Sequence, residues 1–124
     1  MGTSDGTKID WAVAMEAVGG NEQLLAELIE IFFQEYPKLV GAIQTSIESK
    51  VALDLQRAAH TLKGSLRYFG ESDAGHIALE LETMGRDGDF ANATATVQRL
   101  QSAAAPLLPQ LRDFADKHGD GKAD

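Results

Sequence analysis

From residue 8 onward, apolar side chains recur at intervals of three and four in one segment after another, with glycine or proline near the breaks. That spacing is the period of an α-helix, so each segment acquires one apolar face that another element must cover. The first segment spans residues 8–18, where Ile9, Trp11, Val13, Ala14 and Ala17 suggest a short helix stopped by Gly19 and Gly20. Asn21 is placed to cap the second, Glu22 complements its N-terminal dipole, and Leu24, Leu25, Leu28, Ile31, Phe32 and Leu39 form its stripe. Pro37 removes a backbone donor and is expected to kink or divide this helix near Tyr36, after which Val40, Ile43 and Ile47 carry it to about Glu48.

A third segment covers residues 51–68 and stops near Gly70. The fourth opens at Ser72 with Asp73 in its first turn, turns Ala74, Ile77, Ala78, Leu81 and Met84 inward, and closes over residues 85–88. Asp89 starts the last, whose stripe of Phe90, Ala93, Val97, Leu100, Ala104, Leu107, Leu111 and Phe114 is long enough to run the length of a bundle, with Pro106 and Pro109 in its later half. Short connections favour antiparallel neighbours. The expected fold is therefore all-α: an antiparallel four-helix bundle over residues 8–117 with a short additional N-terminal helix. Residues 1–7 read as a lead-in and residues 118–124 as a polar tail.

Composition narrows the chemistry. A formal charge of −8 works against nucleic acid and against anionic membranes, both of which require a basic footprint. No apolar run approaches the roughly 20 residues that span a bilayer, so no direct membrane contact is expected. Without cysteine there is no disulfide framework, thiolate metal site or cysteine nucleophile.

The third segment is where chemistry concentrates. On a helical wheel Leu55, Ala59, Leu62, Leu66 and Phe69 share one side, whereas Gln56, Lys63, Gly64 and Arg67 fall within roughly 60° of His60 on the other. His60 therefore faces solvent, where a space-filling core histidine has no reason to be, and an exposed imidazole is substantially neutral near neutral pH and nucleophilic. Arg57, Lys63 and Arg67 surround it with positive charge in an otherwise acidic chain, a setting suited to a phosphoryl group. Solvated basic residues on a helix face are the plainer reading of those three side chains taken alone. Gly64 costs about 1 kcal/mol relative to alanine inside a helix. Beside His60 it removes a side chain that would hold another protein's surface away from the ring.

Residues 59–70 read AHTLKGSLRYFG, and here the chain resembles the histidine-containing phosphotransfer family. The family pattern of histidine, any residue, leucine or isoleucine, lysine, glycine and a second glycine six positions on is met by His60, Leu62, Lys63, Gly64 and Gly70. The helix order agrees over about residues 8–117. The resemblance implies a phosphohistidine carrier that exchanges phosphoryl with the aspartate of a receiver (response regulator) domain, either free-standing or as the terminal module of a hybrid sensor kinase. It makes His60 the phosphoacceptor, Lys63 a charge partner of the phosphoryl group, and Gln56, Arg57, Gly64 and Arg67 part of the receiver-facing surface. A small residue is common in the family where Arg67 stands. The family often has a ring-holding glutamine on the next helix, and Glu82 is its nearest counterpart here; a carboxylate there would accept from Nδ1–H and leave Nε2 outward. No cofactor is implied for this domain, because the receiver supplies the acidic site and its magnesium. A cytoplasmic monomer without autonomous catalysis is expected.

Other chemistries fit poorly. His60, His76 and His118 form no HExxH arrangement, and His76 is read as a surface partner of Glu80 one turn later. Ser65 lies mid-helix without a strand-to-helix elbow, and His60 lacks the acidic neighbour and following proline of a kinase dimerisation helix. The reading of another class is a non-catalytic helical adaptor, since periodicity alone carries no chemistry.

Overall fold

The computed structural model describes residues 6–119. Polar side chains set three of the helix starts. Asp10 accepts from the Val13 amide to open α1 (Trp11–Ala17), Asn21 from Leu24 to open α2 (Glu22–Ser49), and Ser72 from Gly75 to open α4 (Asp73–Asp87). Between the last two lies α3 (Ala52–Arg67), and α5 (Ala93–Ala104) and α6 (Leu107–His118) complete the chain; no strand occurs among the described residues.

Two prolines refine the periodicity reading, which allowed Pro37 either to kink or to divide α2 and carried that helix to about Glu48. Pro37 does not divide α2, which runs unbroken through it. Proline in a helix interior costs about 3 kcal/mol, whereas burying each large apolar side chain returns roughly 1.5–3 kcal/mol. Phe32, Val40, Ile43 and Ile47, all buried on the two sides of Pro37, outweigh that cost together. The last stripe, by contrast, is divided at Pro106 into α5 and α6, although buried residues lie on both sides of the break, Leu100 and Ala104 before it and Leu107 and Leu111 after it. Pro109 falls in the first turn of α6, where its missing N–H would have had no intrahelical partner. Leu24 and Ile31, placed in the α2 stripe by spacing, are exposed; the inward face instead follows Leu25, Ile29, Phe32, Val40, Ile43 and Ile47.

α3 lies between α2 and α4, α4 packs on α5, and α2 closes the ring against α5 and α6. Adjacent helices joined by such short connections run antiparallel. Leu25, Ile29, Ile43, Leu55, Leu62, Leu66, Leu81, Leu100 and Leu111 fill the shared interior with almost no exposure. α1 caps one end, with Trp11 stacked on Phe114 of α6 at 4.8 Å. The α3–α4 connection is fastened to this cap: the Asp10 amide donates to the Phe69 carbonyl at 2.9 Å. Gly70, at φ +96°, passes so close that a Cβ there would lie 2.4 Å from the Asp10 Cβ. The second glycine of the motif is thus needed for its backbone and for its missing side chain.

Gly6 and Thr7, within the segment read as a lead-in, are tied to the bundle. The Asp73 amide donates to Gly6 O, and Gln110 Nε2 donates to Thr7 O at 2.7 Å. Residues 1–5 and 120–124 lie outside the described residues, and His118 closes α6.

Candidate functional site

The site begins with how closely two helices approach. On α4, Gly85 is buried against α3; a Cβ there would stand 2.4 Å from the Gln56 amide nitrogen and 2.9 Å from the Ala52 carbonyl oxygen. The missing side chain lets the helices meet at backbone contact. One turn earlier on α4, Glu82 is thereby carried to the level of His60 and Lys63.

There the Glu82 carboxylate divides its oxygens. Oε2 lies 2.9 Å from His60 Nδ1, and Oε1 lies 2.6 Å from Lys63 Nζ. Exposure separates the three groups: the imidazole is 66% exposed, Lys63 13% and Glu82 12%. The hydrogen bond from Lys63 holds the Glu82 carboxyl below the usual carboxylate range, against the opposing effect of burial and with further help from the His60 hydrogen bond. An ionised carboxylate only accepts. The ring must then donate from Nδ1–H, which leaves Nε2 unprotonated and directed away from the seam in the neutral imidazole.

Gly64, one turn beyond His60, is exposed, and a Cβ added to it would meet nothing within 4 Å. Among the described residues no internal contact requires the glycine. It floors a shallow depression with Val13, Ala17, Thr61, Arg67 and Tyr68, so α1 contributes to the same face. Gln56 is half-buried at the Gly85 contact, its backbone forming the seam. Arg57 and Arg67 are exposed on either side of His60, and among the described residues neither guanidinium forms an ion pair. Of the basic residues read around the imidazole, Lys63 alone is joined to it, through Glu82. No group of three or more metal-ligating side chains occurs among the described residues.

His76 does not pair with Glu80. Arg99 of α5 takes Glu80 through two hydrogen bonds of 2.9 and 3.2 Å, and His76 Nε2 reaches back to Glu71 at 2.8 Å. The role of Gly85 is also absent from the periodicity reading, which treats it as a helix stop. Its signal was present: a glycine three residues after Glu82, on the inward side of an apolar stripe, carries the same cost that marks Gly64.

Fold and surface together define a class: an all-α bundle that presents the His60 imidazole to solvent and holds it from behind with the largely buried carboxylate of Glu82. The Hpt domain model matches residues 27–116, and the chain belongs to the histidine-containing phosphotransfer (Hpt) domain family. It accordingly has a histidine phosphotransfer role in phosphorelay signalling, in which Hpt domains interact with receiver domains. Among solved structures, histidine-containing phosphotransfer protein B (HptB) from Pseudomonas aeruginosa PAO1 is similar, with a TM-score of 0.80 and 18% identity over 88% of this chain and 95% of that one. That likeness is one of fold. A comparison with curated proteins found no match.

Proposed function

We propose that His60 is the phosphoacceptor of this domain and that Nε2 is the atom that carries the phosphoryl group. The observation that carries the reading is the 2.9 Å contact between His60 Nδ1 and Glu82, which fixes the tautomer and leaves a lone pair on the exposed nitrogen. In the acceptance step that lone pair attacks the phosphorus of a receiver's aspartyl phosphate. As the N–P bond forms, the P–O bond breaks and its electron pair returns to the aspartate carboxylate. No proton has to leave, because Nδ1 keeps its hydrogen; the ring takes on positive charge beside Glu82, and reversal returns the phosphoryl to a receiver.

Receiver docking uses the face around Gly64, with Gln56, Arg57 and Arg67 at its margins. Magnesium belongs to the receiver's acidic site. Among the described residues no helix is long and apolar enough to cross a membrane, and the receiver-coupled reading goes with a cytoplasmic, monomeric carrier, whether free-standing or part of a hybrid kinase.

Incubation with a phosphorylated receiver tests the assignment. The chain should acquire label that is acid-labile and alkali-stable, as a phosphoramidate is, and should acquire none from ATP alone. His60→Gln should abolish labelling with melting nearly unchanged, given the ring's exposure. Full labelling of a folded His60→Gln protein would sink the assignment.

A further inference from the structure

We propose that Lys63 acts on phosphotransfer through Glu82 rather than by touching the phosphoryl group, and that this ion pair sets the equilibrium between phosphorylated His60 and the receiver's phosphorylated aspartate. The inference rests on His60 being the phosphoacceptor.

Position comes first. Lys63 Nζ sits 2.6 Å from Glu82 Oε1, while the other oxygen of the same carboxylate faces Nδ1. The ammonium is thus on the Nδ1 side of the ring, across a carboxylate from it, whereas the phosphoryl group arrives at Nε2. The seam holding Lys63 and Glu82 is also largely dry, in contrast to the open imidazole. Reaching a phosphoryl oxygen would require Lys63 to abandon Glu82 Oε1, a buried oxygen with no other partner among the described residues. A buried carboxylate oxygen left unpaired is strongly disfavoured.

The charge change of the reaction supplies the rest. Acceptance at Nε2 with Nδ1–H retained makes the ring cationic, next to the negative charge of Glu82. Glu82 therefore stabilises the phosphorylated state. Lys63 offsets part of that negative charge and so weakens the stabilisation, which keeps the phosphoryl group transferable onward. Two side chains bonded to each other consequently push one equilibrium in opposite directions. A direct phosphoryl ligand would behave otherwise: it would stabilise phosphorylated His60, and its loss would favour the receiver.

The test uses one receiver domain selected because it labels the unmodified chain. It is charged with acetyl phosphate, freed of the donor, and mixed with each variant at about pH 8, well above the usual carboxylate range. The partition of label between histidine and aspartate is then measured. Lys63→Met should raise the histidine share and Glu82→Gln should lower it, each shifting the equilibrium constant on the order of three- to tenfold, as expected for one nearby charge in a partly screened site. The double variant should match Glu82→Gln, since Lys63 has nothing to act through once the carboxylate is gone. Lys63→Gln repeats the sign test if Lys63→Met folds poorly, and Lys63→Arg should restore the original partition. A lowered histidine share in Lys63→Met or Lys63→Gln would identify a direct phosphoryl contact and overturn the proposal. So would an unchanged share, or a Lys63 effect of equal size with Glu82 already replaced. Label retained in His60→Gln is a separate result, which removes the acceptor assignment itself.

Discussion

Gly64 on α3 and Gly85 on α4 both interrupt helix interiors, where glycine costs about 1 kcal/mol against alanine. Their surroundings share nothing. A methyl group at Gly64 would enter open space, and one at Gly85 would collide with the backbone of Gln56 at 2.4 and 2.7 Å. The first glycine is dispensable to the fold and lies next to the imidazole; the second is required for α3 and α4 to meet. Both nevertheless bear on one site, since the helix contact at Gly85 delivers Glu82 to His60 and Gly64 leaves bare surface beside the ring, the clearance proposed for receiver docking. Similar local costs thus have different causes, which only the tertiary setting separates.

The largest effect expected from breaking this comparison is at Gly85. In Gly85→Ala the gain in helix propensity is overridden, because the colliding atoms belong to the α3 backbone and cannot swing aside. Overpacking of this kind costs about 1–3 kcal/mol, enough to lower the melting temperature by several degrees in a domain of this size. Phosphoryl acceptance should fall too, as the seam that seats Glu82 widens. Gly64→Ala is the control, with a melting temperature unchanged or raised. Thermal denaturation of the two proteins side by side decides the point, and a loss of stability as large at Gly64 as at Gly85 would erase the distinction.

Next in size is an effect on function alone. Gly64→Gln places a long side chain on the face proposed to dock the receiver without touching the core, so transfer should slow on the order of tenfold or more, equivalent to about 1.4 kcal/mol of lost docking or alignment. Stability should hold or improve by up to about 1 kcal/mol. Receiver affinity from titration and single-turnover transfer, read with the melting curve, separate obstruction from misfolding. Equal affinities and rates for the two proteins would leave Gly64 without a clearance role.

What the sequence disclosed follows the same division. The inward face of α3 was legible because a helix of known period fixes which side chains oppose one another: Leu55, Ala59, Leu62, Leu66 and Phe69 are all buried, and His60 opposite them is exposed. Gly64 was legible because an unexplained cost on an exposed face asks for an external reason. Glu82 became a candidate through the family resemblance, since no period relates residues on different helices. Gly85 was hidden for the same reason: a glycine near the end of a stripe reads as a stop until the neighbouring backbone is in view. The partner of His76 depended on Arg99 arriving from α5 to occupy Glu80. Pro37 and Pro106 look alike in sequence and both are flanked by buried apolar residues, so the period alone does not distinguish the helix that runs through its proline from the one that stops there.

The smallest effect expected concerns the charge on Glu82, and it sharpens the comparison by titrating the seam while leaving the open face untouched. The Lys63 hydrogen bond holds this carboxyl below its ordinary value of 4.5, with burial opposing and His60 assisting. A carboxyl whose folded value is depressed contributes stability that is fully present above the unfolded value and is lost as pH falls through the folded one. The Glu82–Lys63 contribution should therefore be constant at neutral pH, begin to decline near pH 4.5 and vanish below the depressed folded value. Denaturant unfolding of the unmodified chain and of Glu82→Gln across that range reads it directly. The unmodified chain should be the more stable at neutral pH, and its advantage should shrink on acidification, since the amide does not titrate. Gly64→Gln should instead track the unmodified chain in parallel at every pH, because nothing at its position changes charge. A stability gap between the unmodified chain and Glu82→Gln that stays constant through acid would mean that the carboxylate's charge contributes nothing to the seam, and that apolar packing and the close approach at Gly85 hold α3 against α4 without it.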